Sequence, residues 1–273
     1  MIFVFKKALS YIVFILVLSL VLSPVSALAA SSPAAAVSTA NLSKGVVSVS
    51  YTSPTKAKVV VRVMKDKAIN DYEYLSGAQY PLQLGNGTYS VLVLEQVSGT
   101  KYKLVHTEKL ELKLENENAV YLQPISYINW SDKTKFVVKA RELVKDAKTD
   151  SEKVKILYTY LTKLMKYDYE KAKTVTTIYS PNLDTLYDSL KGICFDYTSV
   201  FAAMLRGVGV PTKLLMGYEA GNAKVYHSWN EVYLGEKEGW VTIDTTFDAI
   251  KVQNGQAVEM VKDSANYTAT KVY

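Results

Sequence analysis

The chain has 273 residues, 49% of them apolar and 21% charged, with a formal net charge of +6. That is enough apolar material for one large core or two small ones. The basic excess is slight, and no run of five or six like charges occurs, which argues against a nucleic-acid-binding surface.

At the N-terminus Lys6 and Lys7 precede an apolar run from Ala8 to Leu22, then Ser23-Pro24 and Ala27-Leu28-Ala29, the small-x-small pattern of a signal-peptidase site. A run of about 15 residues falls short of the roughly 20 needed to cross a bilayer. Residues 1–29 are therefore expected to form a cleaved signal peptide, with no stable membrane span left after cleavage. The folded part would be secreted or held in the cell envelope, with 30 basic against 26 acidic residues remaining. Export gives the single cysteine, Cys194, a meaning. One thiol makes no intramolecular disulfide, and outside the cell it is an oxidation liability unless it is buried or used for its reactivity.

Residues 30–41 are mostly Ala, Ser and Pro without period and read as a flexible linker. Over 42–124 the period is two. Val59, Val61 and Val63 alternate with Lys58, Val60 and Arg62, and Tyr89, Val91 and Val93 face opposite to Ser90, Leu92 and Leu94. Turn signals at Ser53-Pro54, Gly85-Asn86-Gly87 and Ser98-Gly99-Thr100 separate the runs. The pattern predicts a small all-β domain, consistent with an immunoglobulin-like sandwich. His106 lies in this strand pattern with no partner at metal-ligand spacing, so no metal site is expected.

After Trp130 the period changes, and residues 130–273 read as a second, α+β domain. A helix is predicted after Ser131-Asp132-Lys133, with Phe136, Val137, Ala140 and Leu143 on one face. Another opens at Asp150-Ser151 and carries Val154, Leu157, Leu161 and Leu164. Between Lys166 and Gly192 runs a long connection with only a short helical pattern from Leu183 to Leu190, of a length that is more often functional than idle.

Gly192 closes that connection, and Cys194 opens a helix whose apolar face is Tyr197, Val200, Phe201, Met204 and Leu205, ended by Gly207-Val208-Gly209 and Pro211. A thiol at a helix N-terminus meets free N–H groups and the positive end of the dipole. Such surroundings lower a cysteine pKa from ~8.5 to between ~3.5 and ~7.5. If Asn230–Leu234 and Gly239–Ile243 form a hairpin with Val232 opposite Val241, Trp229 falls opposite Asp244 and His227 lies diagonal to it on the same face. Diagonal neighbours are ~7–8 Å apart at Cα, within reach of an imidazole and a carboxylate. A slip of one residue would send them to opposite faces.

These residue types predict a thiol enzyme in which Cys194 is the nucleophile, His227 its base and Asp244 the carboxylate that orients the imidazole. The Cys194 N–H and Tyr167 are the candidate oxyanion donors. Asp196, Tyr197, Trp229 and Tyr179 are candidate substrate-pocket residues. The chemistry requires no cofactor. Taken singly, Cys194 also fits a small core residue, His227 an ordinary strand residue and Asp244 a turn former at a strand end.

The order Gly192-Ile193-Cys194, Met204-Leu205-Arg206-Gly207-Val208-Gly209-Val210-Pro211, His227-Ser228-Trp229-Asn230-Glu231-Val232 and Trp240-Val241-Thr242-Ile243-Asp244-Thr245-Thr246 resembles the transglutaminase-like superfamily over about residues 150–250. The resemblance implies a papain-like α+β core, with a Cys-bearing helix packed on an antiparallel sheet that carries His and Asp. It also implies that Cys194, His227 and Asp244 are the triad. Two departures from the animal crosslinking enzymes stand out. Phe195-Asp196-Tyr197 follows the cysteine where those enzymes have Trp, and Tyr167 matches the position of their oxyanion Trp. The chain is more similar to bacterial exported members, where β-rich modules often precede the domain.

Taken together, the sequence leads to an exported cysteine hydrolase acting on peptide or isopeptide amide bonds of polypeptide or cell-wall peptide. An acyl-transferring crosslinker with the same triad and a non-catalytic envelope binding module are the alternatives.

Overall fold

The computed structural model describes residues 35–176, 179–222 and 225–273. The expected signal peptide, 1–29, lies outside the described residues. Within them no helix is long and apolar enough to cross a membrane.

The first half is built from seven strands: β1 (Ala36–Ser38), β2 (Val46–Ser50), β3 (Val59–Lys65), β4 (Ala68–Glu73), β5 (Gln79–Pro81), β6 (Gly87–Ser98) and β7 (Lys101–Leu112). Val and Tyr at every second position give β3 and β6 one apolar face each, so Val61, Val63, Tyr89, Val91 and Val93 are all fully buried. Two antiparallel sheets bury these faces, with strand orders β1-β2-β5 and β4-β3-β6-β7. With β4 in the place of a C′ strand, these orders correspond to A-B-E and C′-C-F-G, an immunoglobulin-type arrangement. A tyrosine corner supports the assignment. Near the start of β6, the Tyr89 hydroxyl donates to the Gly85 carbonyl at 2.7 Å and accepts from the Leu84 N–H at 2.8 Å. One expectation is corrected here. Ala36–Ser38, placed in a flexible linker, pair antiparallel with Ser48–Ser50, because Val37 finds an apolar edge to pack on and the strand satisfies its backbone groups there.

The second half comprises α1 (Lys135–Leu143), α2 (Asp150–Leu164), β8 (Lys166–Tyr167), α3 (Tyr169–Thr174), α4 (Leu183–Ser189), β9 (Lys191–Gly192), α5 (Cys194–Gly207), β10 (Thr212–Glu219), β11 (His227–Tyr233), β12 (Trp240–Ile243), α6 (Thr245–Gln253), β13 (Val261–Lys262) and β14 (Tyr267–Val272). Local chemistry fixes the helix starts. Thr149 and Glu152 form a reciprocal capping box at α2, Asn182 caps α4 and Asp244 caps α6.

Helix α5 is the centre of this half. From Asp196 to Arg206 every residue is buried, because α1, α2, α4 and α6 pack around it and the sheet β13-β12-β11-β10-β14 covers the remaining face. Each large apolar side chain buried there, such as Phe201 or Met204, contributes about 1.5–3 kcal/mol. Gly207 permits this packing, since a Cβ on it would lie 2.6 Å from Val137 Cγ1.

The two halves share one continuous apolar cluster, and the described residues form one compact unit. Tyr273 sits at the junction, edge-on to Tyr72 and Tyr127 with ring centroids 5.8 and 4.8 Å away. Nearby, the Arg206 guanidinium reaches across to the Gln123 carbonyl at 2.6 Å.

Candidate active site

The site begins with a short parallel pairing. Tyr167 of β8 lies beside Gly192 of β9, which fixes the backbone just before Cys194. Gly192 admits no larger residue, because a Cβ there would stand 2.6 Å from Asp196 Cβ. Asp196, in the first turn of α5, accepts from the Ile193 N–H at 2.8 Å and from Lys171 Nζ at 2.6 Å, and the Tyr179 hydroxyl donates to its other oxygen. The turn that presents Cys194 is thereby tied to α3 and to the loop before α4.

The expected hairpin register is the observed one, with Val232 opposite Val241 and Asn230 opposite Ile243. It brings His227 Nε2 to 2.8 Å from Asp244 Oδ2. Both side chains are buried, at 5% and 0% exposure. Asp244 is held by more than the imidazole. Its Oδ1 accepts from the Thr246 and Phe247 N–H groups, both at 3.1 Å, and the Tyr267 hydroxyl donates to Oδ2 at 3.2 Å. The His227 ring stacks on Phe247, 4.3 Å away and 8° from parallel, with the Trp229 ring 6.4 Å from it. With Nε2 engaged by the carboxylate, Nδ1 is the ring nitrogen left to face the thiol side.

Cys194 meets His227 and both the hydroxyl and the backbone of Ser228. Burial pushes its thiol up, but the hydrogen bond and charge of His227 and the Ser228 donors outweigh it and hold the pKa below the ordinary thiol value. Burial likewise disfavours charge on His227. The Asp244 carboxylate and the Cys194 sulfur reverse this and carry the imidazole up to about 10. Both shifts favour a thiolate beside an imidazolium. Gly217, the register partner of His227, lets the sheet close here, because a Cβ on it would sit 2.0 Å from the Thr268 carbonyl oxygen of β14.

Cys194, His227 and Ser228 open onto a cleft of about 510 Å³ whose walls include Tyr167, Tyr179, Phe195 and Tyr226. Tyr167 faces the thiol closely enough that burial, and then the charge on Cys194, raises its own pKa. Three of the expected pocket residues do not line the cleft. Tyr197 is fully buried and donates to the Met165 carbonyl at 2.6 Å. Asp196 is buried against Lys171, Tyr179 and Ile193. Trp229 lies behind the imidazole, against Tyr267. On α5 the positions two and three beyond Cys194 turn into the packed interior, and Trp229 follows the buried face of β11. Tyr179 does line the cleft.

Sequence reasoning passed over Ser228, Phe247, Tyr267 and the cleft residues Tyr127 and Tyr273. For Ser228 the signal was its place beside His227. For Tyr127, Tyr267 and Tyr273 no local signal exists, because contacts far along the chain bring them in. Among the described residues no group of three or more His, Cys, Asp or Glu side chains is disposed to hold a metal ion.

A cysteine at the start of a central helix, against an antiparallel sheet that brings an imidazole and a carboxylate to it, places the chain among the papain-like α+β folds. More narrowly, residues 138–245 match the model of the transglutaminase-like superfamily, whose members are typically thiol enzymes. The uncharacterized protein YebA of Bacillus subtilis is 27% identical over 177 residues, which is 59% of this chain and 23% of that protein. A protein-glutamine gamma-glutamyltransferase of Pseudomonas aeruginosa is 30% identical over 87 residues, 28% of this chain and 13% of that one. The chain thus spans less than a quarter of the length of the curated relatives it matches. Among solved structures, the periplasmic domain of TgpA from Pseudomonas aeruginosa, bound to ethylmercury, aligns over 71% of this chain and 91% of its own at 16% identity and a TM-score of 0.41. Red sea bream transglutaminase aligns over 74% of this chain and 47% of its own, at 11% identity and a TM-score of 0.32.

Proposed function

We propose that this chain is a thiol enzyme of the extracytoplasmic space that cleaves peptide or isopeptide amide bonds of polypeptide or cell-wall peptide. The observation that carries the reading is the 2.8 Å contact of His227 with Asp244 in a pair that also faces Cys194. The basic, apolar and small-residue pattern before residue 30 supports the location.

In the first half-reaction the Cys194 thiolate attacks the amide carbonyl carbon and forms a C–S bond. The oxyanion is met by the Cys194 N–H and the Tyr167 hydroxyl. Collapse breaks the C–N bond, and the leaving amine takes the proton of the His227 imidazolium. In the second, the neutral imidazole removes a proton from water, the hydroxide attacks the thioester carbon, and the carboxylic acid leaves as the thiolate and imidazolium are restored. Asp244 stays ionised throughout and keeps Nε2 engaged. The β-rich residues 42–124, which share a core with the rest of the chain, act as a spacing or binding module in this reading.

A second reading replaces water with a primary amine, giving a crosslinker, and it is favoured by the match to a protein-glutamine gamma-glutamyltransferase. The test is to incubate the protein with a glutaminyl peptide and with a mixed pool of peptides, with and without a labelled amine, and to search for an acyl adduct on Cys194 by mass spectrometry. Hydrolysed products with a trappable Cys194 thioester are expected. Label incorporated into peptide in place of hydrolysis selects the second reading, and no adduct or product with any peptide contradicts both.

A further inference from the structure

The cleft at Cys194 has an unusual lining. Six aromatic side chains face it, Tyr127, Tyr167, Tyr179, Phe195, Tyr226 and Tyr273, and among the described residues no Asp or Glu side chain does. The apolar lining continues onto the surface, where Val225 and Tyr226 remain 49% and 46% exposed. Apart from His227, the one charged lining residue among the described residues is Lys271. Lys171, nearby, is neutralised by Asp196, whereas Lys271 has no acidic partner among the described residues.

The sheet register fixes how far this cation stands from the chemistry. Met216 of β10 pairs with Lys271 of β14 on one side and with Ser228 of β11 on the other, so Lys271 lies two strands from the residue that touches the thiol. Adjacent strands are about 4.8 Å apart, and an extended peptide advances about 3.3 Å per residue. A substrate chain running from Cys194 toward Lys271 therefore reaches the ammonium within about three residues of the scissile amide.

From this juxtaposition we infer that the preferred substrate is a polypeptide segment with a large apolar or aromatic side chain beside the scissile amide and a carboxylate within about three residues of it. The aromatic walls remove the apolar side chain from water, and Lys271 pairs with the carboxylate in a cleft where no described Asp or Glu side chain competes for the ammonium and the Cys194 thiolate is already paired with His227. The inference rests on the thiolate reading above. Basic segments would be disfavoured, since they place a second cation beside Lys271.

Chloroacetylated peptides test it, because they report recognition through the rate at which Cys194 displaces chloride and need no turnover. Phe-Asp, Phe-Lys and Gly-Gly probes are made with the electrophile at either end, and each rate is divided by that of chloroacetamide on the same protein. In one orientation Phe-Asp should react about tenfold faster than Gly-Gly, and several-fold faster than Phe-Lys. Lys271→Glu should reverse the Asp-over-Lys preference, and Tyr226→Ser should reduce the gain from Phe. Equal normalised rates for all probes in both orientations, with chloroacetamide itself reacting, would overturn the specificity and leave the thiolate reading standing. A Cys194 inert to chloroacetamide in the folded protein would remove both.

Discussion

Each half of the molecule buries a carboxylate, and the two are used differently. In the sandwich, Glu95 is 1% exposed and receives the Tyr51 hydroxyl, Ser53 at 3.1 Å, Thr55 at 2.6 Å and Lys103 at 3.3 Å. These donors, with the Thr55 and Tyr51 hydrogen bonds foremost, hold its pKa down at about 2. The network is closed, and all it can do is pin the 51–55 turn to β6. In the second half, Asp244 is equally well satisfied by two backbone N–H groups, Tyr267 and His227. One of its partners, however, has a second face, and that face meets a thiol in an open cleft. Function follows from where the network ends rather than from burial or charge.

The largest expected effect that would break this contrast is at the open end. Cys194→Ala should lower turnover by at least about 10³-fold while thermal unfolding is little changed; an active Ala variant would show that the cleft works without its thiol. Asp244→Asn keeps the shape but loses the carboxylate that favours the imidazolium, so turnover should fall about 10²–10⁴-fold. The alkaline limb of the pH profile should also move down from about 10, since Asp244 is the leading influence holding His227 up against burial. An unmoved limb would show that another group sets it. Tyr167→Phe should cost about 10²-fold in kcat with KM little altered, as befits a donor used only in the transition state.

The closed network should respond in the opposite manner. Glu95→Gln leaves buried donors poorly matched and should destabilise the fold by about 1–3 kcal/mol in chemical denaturation, with turnover per folded molecule unchanged. Because Glu95 titrates lower in the folded state than unfolded, its contribution is full above the unfolded carboxylate value of about 4.3 and fades as pH falls toward 2. The gap between native protein and Glu95→Gln should therefore shrink in acid. A gap that widened there would reverse the assignment.

The open end of this contrast and the sandwich strands were legible in the sequence, and the reasons are local. Gly192 ends the long connection and Cys194 opens a helix with a clear apolar face. The four-residue loop at Gly235–Glu238 fixes a register that puts His227 and Asp244 on one face, and β3 and β6 announce themselves by period two. What could not be read depends on distant contacts. Strand β14 joins the sheet beside β10, some fifty residues away, and supplies Lys271 together with the neighbouring Tyr267. Helix α6 grows from Asp244, so the turn that a lone Asp suggests is in fact a helix cap that also supplies the imidazole's carboxylate. Asp196, Tyr197 and Trp229 were misplaced for the same reason, since proximity in sequence to Cys194 and His227 does not tell which face packs inward. The closed network at Glu95 was equally silent, because its four donors converge only when the sandwich folds.

The central claim is that Cys194 and His227 share a thiolate–imidazolium pair. Its most direct test is the rate of Cys194 alkylation by iodoacetamide as a function of pH, in the native protein and in His227→Ala. The lowered thiol and the raised imidazole predict reaction that sets in at lower pH than for an ordinary thiol, with a further change near pH 10 as His227 loses its proton. In His227→Ala the thiol should return toward or above its ordinary value, since burial is then less opposed. A native thiol that ionises near 8.5 or higher, indifferent to His227, would contradict the account.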